Sequence, residues 1–561
     1  MTESEIEKHL SERSALLEQE KTSRHDYAFK QKMPPVAKTA ATIISNIRRK
    51  EMETFWTNPV STTRHQDLKE AMFPGMSFAL SRDRMTKTSL WKIISAMPKG
   101  CLLHAHVEAM IDIDWLIDQA LELPGFFISS PGALAPGECT KWLEPFNFHY
   151  RPGTSQDQAA GVNIWEAGYP PNQFVAVVDA ARTYPGGVEA FKAWAISRMT
   201  INEEEALEHH HGIADIWKKF QSCFGSIAGL FFTEPIFRRC IPRLLQQLHE
   251  DGIRYVELRL ALSLGQPFYR DGSATPETDF DYFLQCFQEE VNTYMSSSQG
   301  AGFWGARLIW TAIRAFDDEA IKESMTQCMD LKEAYPSVIA GFDFVGQEDM
   351  GRPLIDLFPL CKWFESQCAE RNLQIPYFFH AGECLGDGDS TDGNLVDAIL
   401  LNSRRIGHGF SLYKHPLLID LVKKKKILIE LCPISHEVLR LTSNILMHPM
   451  PALQSRGVPV SLNNDDPAVL GYGRNGLSHD FYQVLAAFEN TGLSGIATMA
   501  EDSIRWAAFE DEGHSEWLQG LEGAGTGLKA SRVAEWRAEF EKWCEWIVKE
   551  FGSEDLGLLK N

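Results

Sequence analysis

The stretch LLHAHVEAM, residues 102–110, is an apolar run that ends in two histidines separated by one alanine. Side chains alternate between the two faces of a β-strand, so His104 and His106 would point the same way on a strand and diverge on a helix. Two imidazoles on one face can share a metal ion. The pair by itself also fits two polar residues at the end of an ordinary strand, and the rest of the chain decides between these interpretations.

Short apolar runs recur from residue 250 onward, with helical segments between them. The runs are IRYVELRLAL (253–262), ARLIWTAIR (306–314), VIAGFDFVG (338–346), IPYFFHAGE (375–383), RRIGHGF (404–410), ILIELCP (427–433) and VPVSLNNDDP (458–467). Strands that alternate with helices form βαβ units and a parallel sheet. With LLHAHVEAM they supply eight strand candidates, which predicts an α/β fold, a (β/α)8 barrel of the TIM type. An open doubly wound sheet is the alternative, but no GxGxxG motif opens any of these helices.

The segments around this pattern differ from it in character. The first 90 residues are charged and keep helical spacing at Ile6, Leu10 and Leu17, which predicts a peripheral helical arm. Near the other end, apolar residues step by three and four from Val533 to Ile547, which predicts an amphipathic helix on the barrel exterior. We therefore predict an N-terminal helical arm at 1–90, a barrel at 91–510 with a Pro-, Gly- and Ser-rich insertion at about 120–200 after the first strand, and a C-terminal helical extension at 511–561.

The composition excludes several classes of protein. The chain has 561 residues, of which 44% are hydrophobic and 23% charged, as in ordinary globular proteins. Its formal net charge of −22 argues against a nucleic-acid partner, because such proteins replace counterions with basic patches. No signal peptide and no run long enough to span a bilayer is visible, and the 11 cysteines show no CxxC pair. We expect a cytoplasmic protein with reduced thiols and no membrane partner.

Four predicted strand ends carry groups suited to a metal site, and barrels build their active sites at the C-terminal ends of the strands. The groups are His104 with His106, His380 followed by Glu383, His408 between two glycines, and the pair Asp465-Asp466. Imidazoles with one carboxylate suit zinc and leave a position open for water. Each feature alone also fits a core histidine or a turn. Four of them on strand ends of one barrel pattern favour a metal-dependent enzyme.

These motifs are similar to those of the adenosine deaminase superfamily, and most of all to its adenosine deaminase growth factor branch. The similar segments are MPKGCLLHAH (97–106), GFDFVGQED (341–349), FFHAGE (378–383), RIGHGF (405–410), ELCPIS (430–435) and NNDDPAVLG (463–471). The resemblance implies a barrel of the metal-dependent amidohydrolase kind, one zinc ion per chain and a homodimer formed through the N-terminal arm. It also implies hydrolytic deamination of a 6-aminopurine nucleoside, most simply adenosine or 2′-deoxyadenosine, with release of ammonia.

The resemblance further implies a role for each motif residue. It implies four zinc ligands, namely His104, His106, His380 and Asp465. His408 would orient the attacking hydroxide, and Glu383 would carry a proton to N1 of the purine. Asp466 would bind N7, and the backbone N–H of Gly346 would bind N3.

Two positions depart from the pattern of that branch. An acidic residue often follows the second histidine directly, whereas this chain has Val107 there and Glu108 one residue later. We expect Glu108 to bind the ribose or another substituent, although a solvated charge beyond the strand end fits the sequence too. Where the branch often reads CPISNQ, this chain reads CPISHE, and we expect His436 and Glu437 to alter the pocket rim.

Two other functions remain open from the sequence. The same chemistry could act on AMP or an N6-substituted adenine nucleotide, because a phosphate would need a basic subsite and Arg259, Arg314 and Lys99 are candidates for it. A catalytically inactive binding or growth-factor-like protein could also keep the fold. Its signature would be a broken ligand set, and here every expected ligand is present.

Overall fold

The computed structural model describes residues 3–56, 73, 75–134, 145–153, 161–208, 212–261, 267–386, 388–473, 476–521 and 527–555. The strands there are β1 (Gly100–His106), β2 (Phe126–Ser129), β3 (Asn147–Tyr150), β4 (Val175–Ala176), β5 (Ile253–Leu260), β6 (Gly305–Ile313), β7 (Ile339–Val345), β8 (His380–Ala381), β9 (Arg405–His408), β10 (Leu428–Leu431) and β11 (Val460–Leu462). The α-helices are α1 (Glu3–Ser23), α2 (Tyr27–Lys32), α3 (Pro35–Glu51), α4 (Phe78–Met85), α5 (Ser89–Ser95), α6 (Ile113–Glu122), α7 (Val177–Thr183), α8 (Gly187–Met199), α9 (Glu203–Leu207), α10 (Ile213–Phe231), α11 (Glu234–Glu250), α12 (Asp281–Ser296), α13 (Asp318–Ala334), α14 (Leu354–Glu370), α15 (Asn394–Leu400), α16 (Pro416–Lys425), α17 (Pro433–Val438), α18 (Met450–Ser455), α19 (Gly476–Ala487), α20 (Gly492–Arg505), α21 (His514–Leu521) and α22 (Leu528–Asp555).

Eight parallel strands follow one another around a barrel. They form two four-stranded sheets, ordered β1-β5-β6-β7 and β8-β9-β10-β11. A single parallel bridge between Phe342 and Tyr377 joins the two sheets at one seam, and a bridge between Ala105 and Asp465 joins them at the other. The predicted α/β fold of the TIM type is confirmed, although the hydrogen-bond ladder is not continuous at these two seams.

The strand predicted over residues 375–383 is shorter in the structure, where only His380 and Ala381 are paired as a strand. The cause lies in β7. The Asp343 carboxylate accepts a hydrogen bond from the His380 backbone N–H at 2.8 Å, so this N–H does not pair with a backbone carbonyl. At this seam between the two sheets, the Asp343 side chain therefore holds the backbone of His380, which is one of the predicted site residues.

The insertion after the first strand is more regular than its composition predicts. Strands β2, β3 and β4 form an antiparallel sheet in the order β3-β2-β4, and residues 135–144 and 154–160 of this segment lie outside the described residues. Helix α10 packs against β3 at Gly229, where a Cβ atom would lie 2.1 Å from the Phe148 carbonyl oxygen. This close approach fixes the position of α10 over the barrel opening.

The two terminal segments pack on the same side of the barrel. Helix α3 buries Ala40 and Ile44, and α22 packs against it. The apolar positions predicted along α22 are buried, and the indole N–H of Trp536 donates to the Pro98 carbonyl at 2.9 Å. The domain boundaries themselves stay predictions from the sequence.

Two expectations from the sequence concern the redox state of the cysteines and the presence of a membrane-spanning segment. The ten cysteines of the described residues are buried and free of disulfide bonds, whereas Cys139 lies outside those residues. In the described part of the chain, no helix has the length and apolar character needed to cross a membrane.

Helix α1 is the segment that we expect to mediate a homodimer. Its side chains are exposed, and Ile6, Leu10 and Leu17 share one face at 42%, 54% and 44% exposure. Deleting residues 1–23 should therefore halve the mass measured by light scattering without unfolding the chain, because α3 and its buried contacts remain. Replacing Leu10 and Leu17 with lysine should have the same effect, and an unchanged mass in both variants would contradict this interface.

Candidate active site and metal centre

A cavity of about 240 Å³ lies at the C-terminal ends of the barrel strands. It is lined by residues from β1, β8 and β9, from the segment after β11, and from α10. Of the residues predicted for the site, those that line it are His106, Glu108, Gly346, His380, Glu383, His408, Asp465 and Asp466. The structure thus brings residues from distant parts of the sequence to one place.

Three histidines and one aspartate converge at the floor of this cavity. His104, His106, His380 and Asp465 each offer one ligand atom, and these atoms all lie within 4.8 Å of one another. Asp465 Oδ1 lies 3.3 Å from the Nε2 atoms of both His104 and His106. Its second oxygen, Oδ2, accepts a hydrogen bond from the Ser435 hydroxyl at 2.7 Å. One carboxylate oxygen is therefore held in place while the other faces the imidazoles.

The backbone at Asp465 explains how this carboxylate reaches the histidines. Asp465 has a positive φ of 59°, a conformation that few non-glycine residues adopt. Its N–H donates to the His104 carbonyl at 3.2 Å, and its carbonyl accepts from the His106 N–H at 3.0 Å. These two bonds tie the end of β11 to β1, so the bend closes one seam of the barrel and aims the side chain at the cluster.

Two buried carboxylates orient the ligand histidines. His104 Nδ1 lies 2.9 Å from Glu430 Oε2, and His380 Nδ1 lies 2.6 Å from Asp343 Oδ2. Arg259 contacts both carboxylates at 2.8 Å. Burial raises the pKa of Asp343 and Glu430, but the neighbouring cationic groups outweigh burial and hold both pKa values well below the usual range. Ionised acceptors require Nδ1–H donors, so Nε2 of each histidine keeps its lone pair for a metal.

The sequence interpretation gave no role to Asp343 and Glu430, and it did not predict that Arg259 pairs with them. A signal was present, because each is a charged residue inside an otherwise apolar strand run, where ionised groups are rare unless paired. The pairing itself joins β5, β7 and β10, which are separated by long stretches of sequence. Arg259 was considered as a phosphate partner, and that interpretation is wrong because its guanidinium is taken up by the two carboxylates.

The cluster fits a zinc ion on the chemistry of its donors. His104 Nε2 and Asp465 Oδ1 are buried and have no hydrogen-bond partner among the described residues, an arrangement that is costly without a ligand. Three imidazole nitrogens and one carboxylate oxygen form a donor set that zinc prefers, with room for a water molecule. The lone pairs face one another as a metal site requires.

Glu383 lies beside this cluster on the loop after β8. Its backbone N–H donates to Glu348 Oε1 at 2.7 Å, and Glu348 also accepts from Asn394 Nδ2 at 2.6 Å. Glu348 was not predicted, and it fixes the loop that carries Glu383. Burial raises the pKa of Glu383 well above its usual value, and the negative charges of Asp465 and Glu348 raise it further. Glu383 therefore holds a proton to a higher pH than an exposed glutamate does.

His408 faces the same space from the end of β9. Its Nε2 lies 3.6 Å from Glu383 Oε1 and 3.9 Å from Asp465 Oδ2. The preceding residue is Gly407, and a Cβ atom at this position would lie 2.7 Å from His104 Cε1, so a larger residue would clash there. Gly407 thus allows His104 to approach β9, whereas a Cβ at Gly409 would lie 2.7 Å from Ile429 Cγ2.

Two acidic side chains and one glycine form the part of the cavity next to the cluster. Asp466 Oδ1 and Glu108 Oε1 are buried and have no hydrogen-bond partner among the described residues. Burial raises the pKa of Glu108 to about 7. Gly346 lines the cavity with a φ of 102°, where a side chain would be strained. Unpaired buried oxygens that face a cavity are available to bind a ligand.

An aromatic wall covers the opposite side of the cavity. Trp217, Phe220 and Phe224 lie along α10 and line the cavity. The ring centroids of Trp217 and Phe220 are 5.0 Å apart, and those of Phe220 and Phe224 are 5.1 Å apart. The helical spacing of Trp217 and Phe220 indicates packing against the barrel, but both rings line the cavity. Periodicity identifies the apolar face of a helix and does not distinguish a core from a pocket.

Among the described residues that line the cavity there is no lysine and no arginine. The remaining candidate phosphate partners lie elsewhere. Arg314 donates to the Phe344 and His380 carbonyls, and Lys99 Nζ donates to the Asp251 carbonyl at 2.6 Å. The prediction that Arg314 or Lys99 supplies a basic subsite is therefore not supported by their positions.

Comparisons with known proteins found similar sequences and a similar structure. A family profile described as adenosine deaminase matches residues 197–523. Adenosine deaminase 2 from Sus scrofa is 33% identical over 78% of this chain and 80% of its own length, and adenosine deaminase 2-A from Danio rerio is 30% identical over 85% of this chain and 88% of its own. A zinc-bound amidohydrolase structure from Burkholderia ambifaria is 16% identical in sequence, with a TM-score of 0.49. The match covers 82% of this chain and 95% of the amidohydrolase chain.

Proposed function

Because the chain belongs to the adenosine deaminase family, we propose that it is a zinc-dependent aminohydrolase that deaminates adenosine or 2′-deoxyadenosine with release of ammonia. The family match and the named relatives support a deaminase enzyme acting on purines. The observation that carries the proposal is the convergence of His104, His106, His380 and Asp465 beside the proton-holding carboxyl of Glu383.

The proposed chemistry assigns a step to each of these residues. Bound zinc would supply hydroxide near neutral pH as the nucleophile for C6 of the purine. Glu383 would donate its proton to N1, which neutralises the charge that addition at C6 places on the ring. Glu383 would then take the proton of the hydroxyl group added at C6 and pass it to the amino group, so that the C6–N6 bond breaks, C6 becomes a carbonyl and ammonia leaves. His408 would hold the attacking oxygen from the other side through Nε2.

Substrate binding would use the unpaired groups of the cavity. Asp466 would donate a hydrogen bond to N7, and its raised pKa, caused by burial and then by Asp465, is consistent with a proton to donate there. The backbone N–H of Gly346 would bind N3. The rings of Trp217 and Phe220 would cover the base and exclude water from the reacting atoms.

The charge of the cavity favours a nucleoside over a nucleotide. Recognition of a phosphate ordinarily uses Arg, Lys or a group of N–H donors. The described cavity-lining residues offer no cationic side chain and several acidic ones, among them Glu108 and Asp466. A phosphate at this site would meet buried carboxyl groups and no lysine or arginine of the described lining residues, so we rank AMP and N6-substituted nucleotides below adenosine.

The proposal is tested by measuring amine release by the zinc-loaded protein, namely ammonia from adenosine, 2′-deoxyadenosine, AMP and adenine, and methylamine from N6-methyl-AMP. We expect the highest kcat/KM with one of the two nucleosides. A higher kcat/KM with a nucleotide would replace adenosine by the second candidate. Zinc binding without amine release from any of these compounds would favour the inactive binding protein.

Glu108 should control the KM for the nucleoside. Its carboxylate accepts a stronger hydrogen bond from a ribose hydroxyl than the neutral acid does, and the group ionises as the pH rises through about 7. The KM for adenosine should therefore fall across that pH, and Glu108→Gln should abolish the trend. A hydrogen bond to a charged group contributes about 1.5–3 kcal/mol, so the KM should rise about 10- to 100-fold above pH 7 in the variant. Adenine, which lacks the ribose, is the control substrate, and an equal effect on its KM would remove Glu108 from the ribose site.

A further inference from the structure

Three buried histidines form a continuous hydrogen-bonded chain behind the active site. His408 Nδ1 lies 3.0 Å from His436 Nε2, and His436 Nδ1 lies 2.8 Å from His448 Nε2. The far end of the chain is closed by the backbone N–H of Met450, which donates to His448 Nδ1 at 3.1 Å. The three side chains are at most 3% exposed. The chain therefore leads from a fixed backbone donor to the catalytic cavity.

The backbone donor sets the direction of every hydrogen bond in this chain. A backbone N–H can only donate, so His448 Nδ1 must be an acceptor, and the proton of a neutral His448 lies on Nε2. That proton is donated to His436 Nδ1, which places the proton of His436 on Nε2. His436 in turn donates to His408 Nδ1, and the proton of His408 then lies on Nε2, which faces the cavity.

The surroundings keep these histidines neutral and in place. Burial lowers the pKa of His436 to about 3, and it lowers those of His408 and His448 well below the usual value. The rings of His436 and His448 are nearly coplanar and meet edge to edge, with an interplanar angle of 14° and a centroid distance of 5.1 Å. Phe410 packs its ring against both, at 5.1 Å and 5.6 Å. Rigid packing gives each imidazole one orientation.

We infer that His436 and His448 are positioning residues that fix His408 as the tautomer with its proton on Nε2. His408 then acts as a hydrogen-bond donor toward the attacking oxygen and cannot accept a proton at Nε2. Proton transfer is left to Glu383, whose carboxyl lies 3.6 Å from His408 Nε2. This inference rests on the proposed function, because His408 meets a substrate only if the cavity is the deaminase active site.

Variants at His436 separate the hydrogen bond from the packing. Methionine fills a similar volume and cannot donate, whereas glutamine carries an N–H donor at a comparable distance from the backbone. We expect His436→Met to lower kcat about 10- to 100-fold, as is typical when a supporting hydrogen bond behind a catalytic group is lost, with KM and zinc content near their wild-type values. His436→Gln should restore most of the kcat.

Neutron diffraction of the wild-type crystal, with deuterium exchanged for hydrogen, reads the tautomers directly and needs no activity. We expect deuterium on Nε2 of His408, His436 and His448, and deuterium on His408 Nδ1 would overturn the inference. A wild-type kcat in His436→Met would overturn it, as would an equal loss in His436→Gln. If His436→Met fails to fold, the pair His448→Met and His448→Gln is judged by the same criteria. A wild-type protein that deaminates none of the purines would overturn the proposed function, and the neutron map would still decide the tautomers.

Discussion

Replacing Glu383 with glutamine should remove most of the turnover while the fold, the zinc and ligand binding remain. The amide has nearly the same shape as the carboxyl but cannot deliver a proton to N1. General acid–base catalysis by one residue contributes about 10²–10⁴ in rate. The loss should reach the upper part of that range, because attack on an unprotonated ring leaves charge in a buried cavity with nothing to neutralise it. Single-turnover deamination of adenosine, with zinc measured on the same samples, gives the result.

Glu108→Gln is the matched control for this experiment. Both variants replace one buried carboxyl of the same cavity with an amide, at 4% and 3% exposure. Glu383→Gln should lower kcat, whereas Glu108→Gln should raise KM and leave kcat nearly unchanged. A Glu383→Gln enzyme that deaminates adenosine at a near wild-type rate would rule out the proton-transfer role.

The pH dependence of the wild-type enzyme should reflect the same group. Burial, Asp465 and Glu348 raise the pKa of Glu383, so the protonated form that donates to N1 persists to a higher pH than in an exposed glutamate. That form is present below the raised pKa and is lost as the pH rises through it. The kcat/KM should therefore fall on the alkaline side, and the residual activity of Glu383→Gln should lack this fall.

Local sequence pattern predicted the barrel and the convergence of its motif residues because both depend on short-range signals. Apolar runs separated by helical segments locate the strands, and a polar residue at the end of a run locates the rim of the barrel. The site then follows from topology, since the C-terminal ends of parallel strands meet. His380 and Asp465 are far apart in the chain, yet both sit where a predicted run ends.

Features that depend on pairing across the fold were missed. Arg259, Asp343 and Glu430 come together only because β5, β7 and β10 face the barrel interior at the same level. The chain from His408 to His448 likewise joins the end of β9 to the segment before α18. The sheet in the insertion was not predicted because β4 has two residues, too few to show the alternation of apolar and polar residues that marks a strand. In each case the structural role follows from a pairing across the fold, which the local sequence around the residue does not show.

The largest effect on metal content should come from Asp465→Ala. The purified wild-type protein should contain close to one zinc per chain, and the variant should retain little of it after dialysis. Loss of a group that merely orients a ligand typically costs about 10- to 100-fold in metal affinity, and loss of a ligand should cost more. The structure gives the reason, because Asp465 Oδ1 lies 3.3 Å from two of the three histidine nitrogens and offers the only formal negative charge in the cluster formed by His104, His106, His380 and Asp465.

Asp466→Ala is the control that distinguishes the loss of a metal ligand from the loss of a neighbouring carboxylate. Asp466 is as buried as Asp465, at 1% against 2%, and follows it directly in the chain. If it binds the purine, its removal should abolish turnover and leave the zinc content unchanged. Elemental analysis of both variants, purified side by side, measures the difference. One zinc per chain in Asp465→Ala would reject the carboxylate as a ligand, and equal zinc loss in both variants would mean that the bend at the end of β11, rather than the Asp465 carboxylate, holds the metal site together.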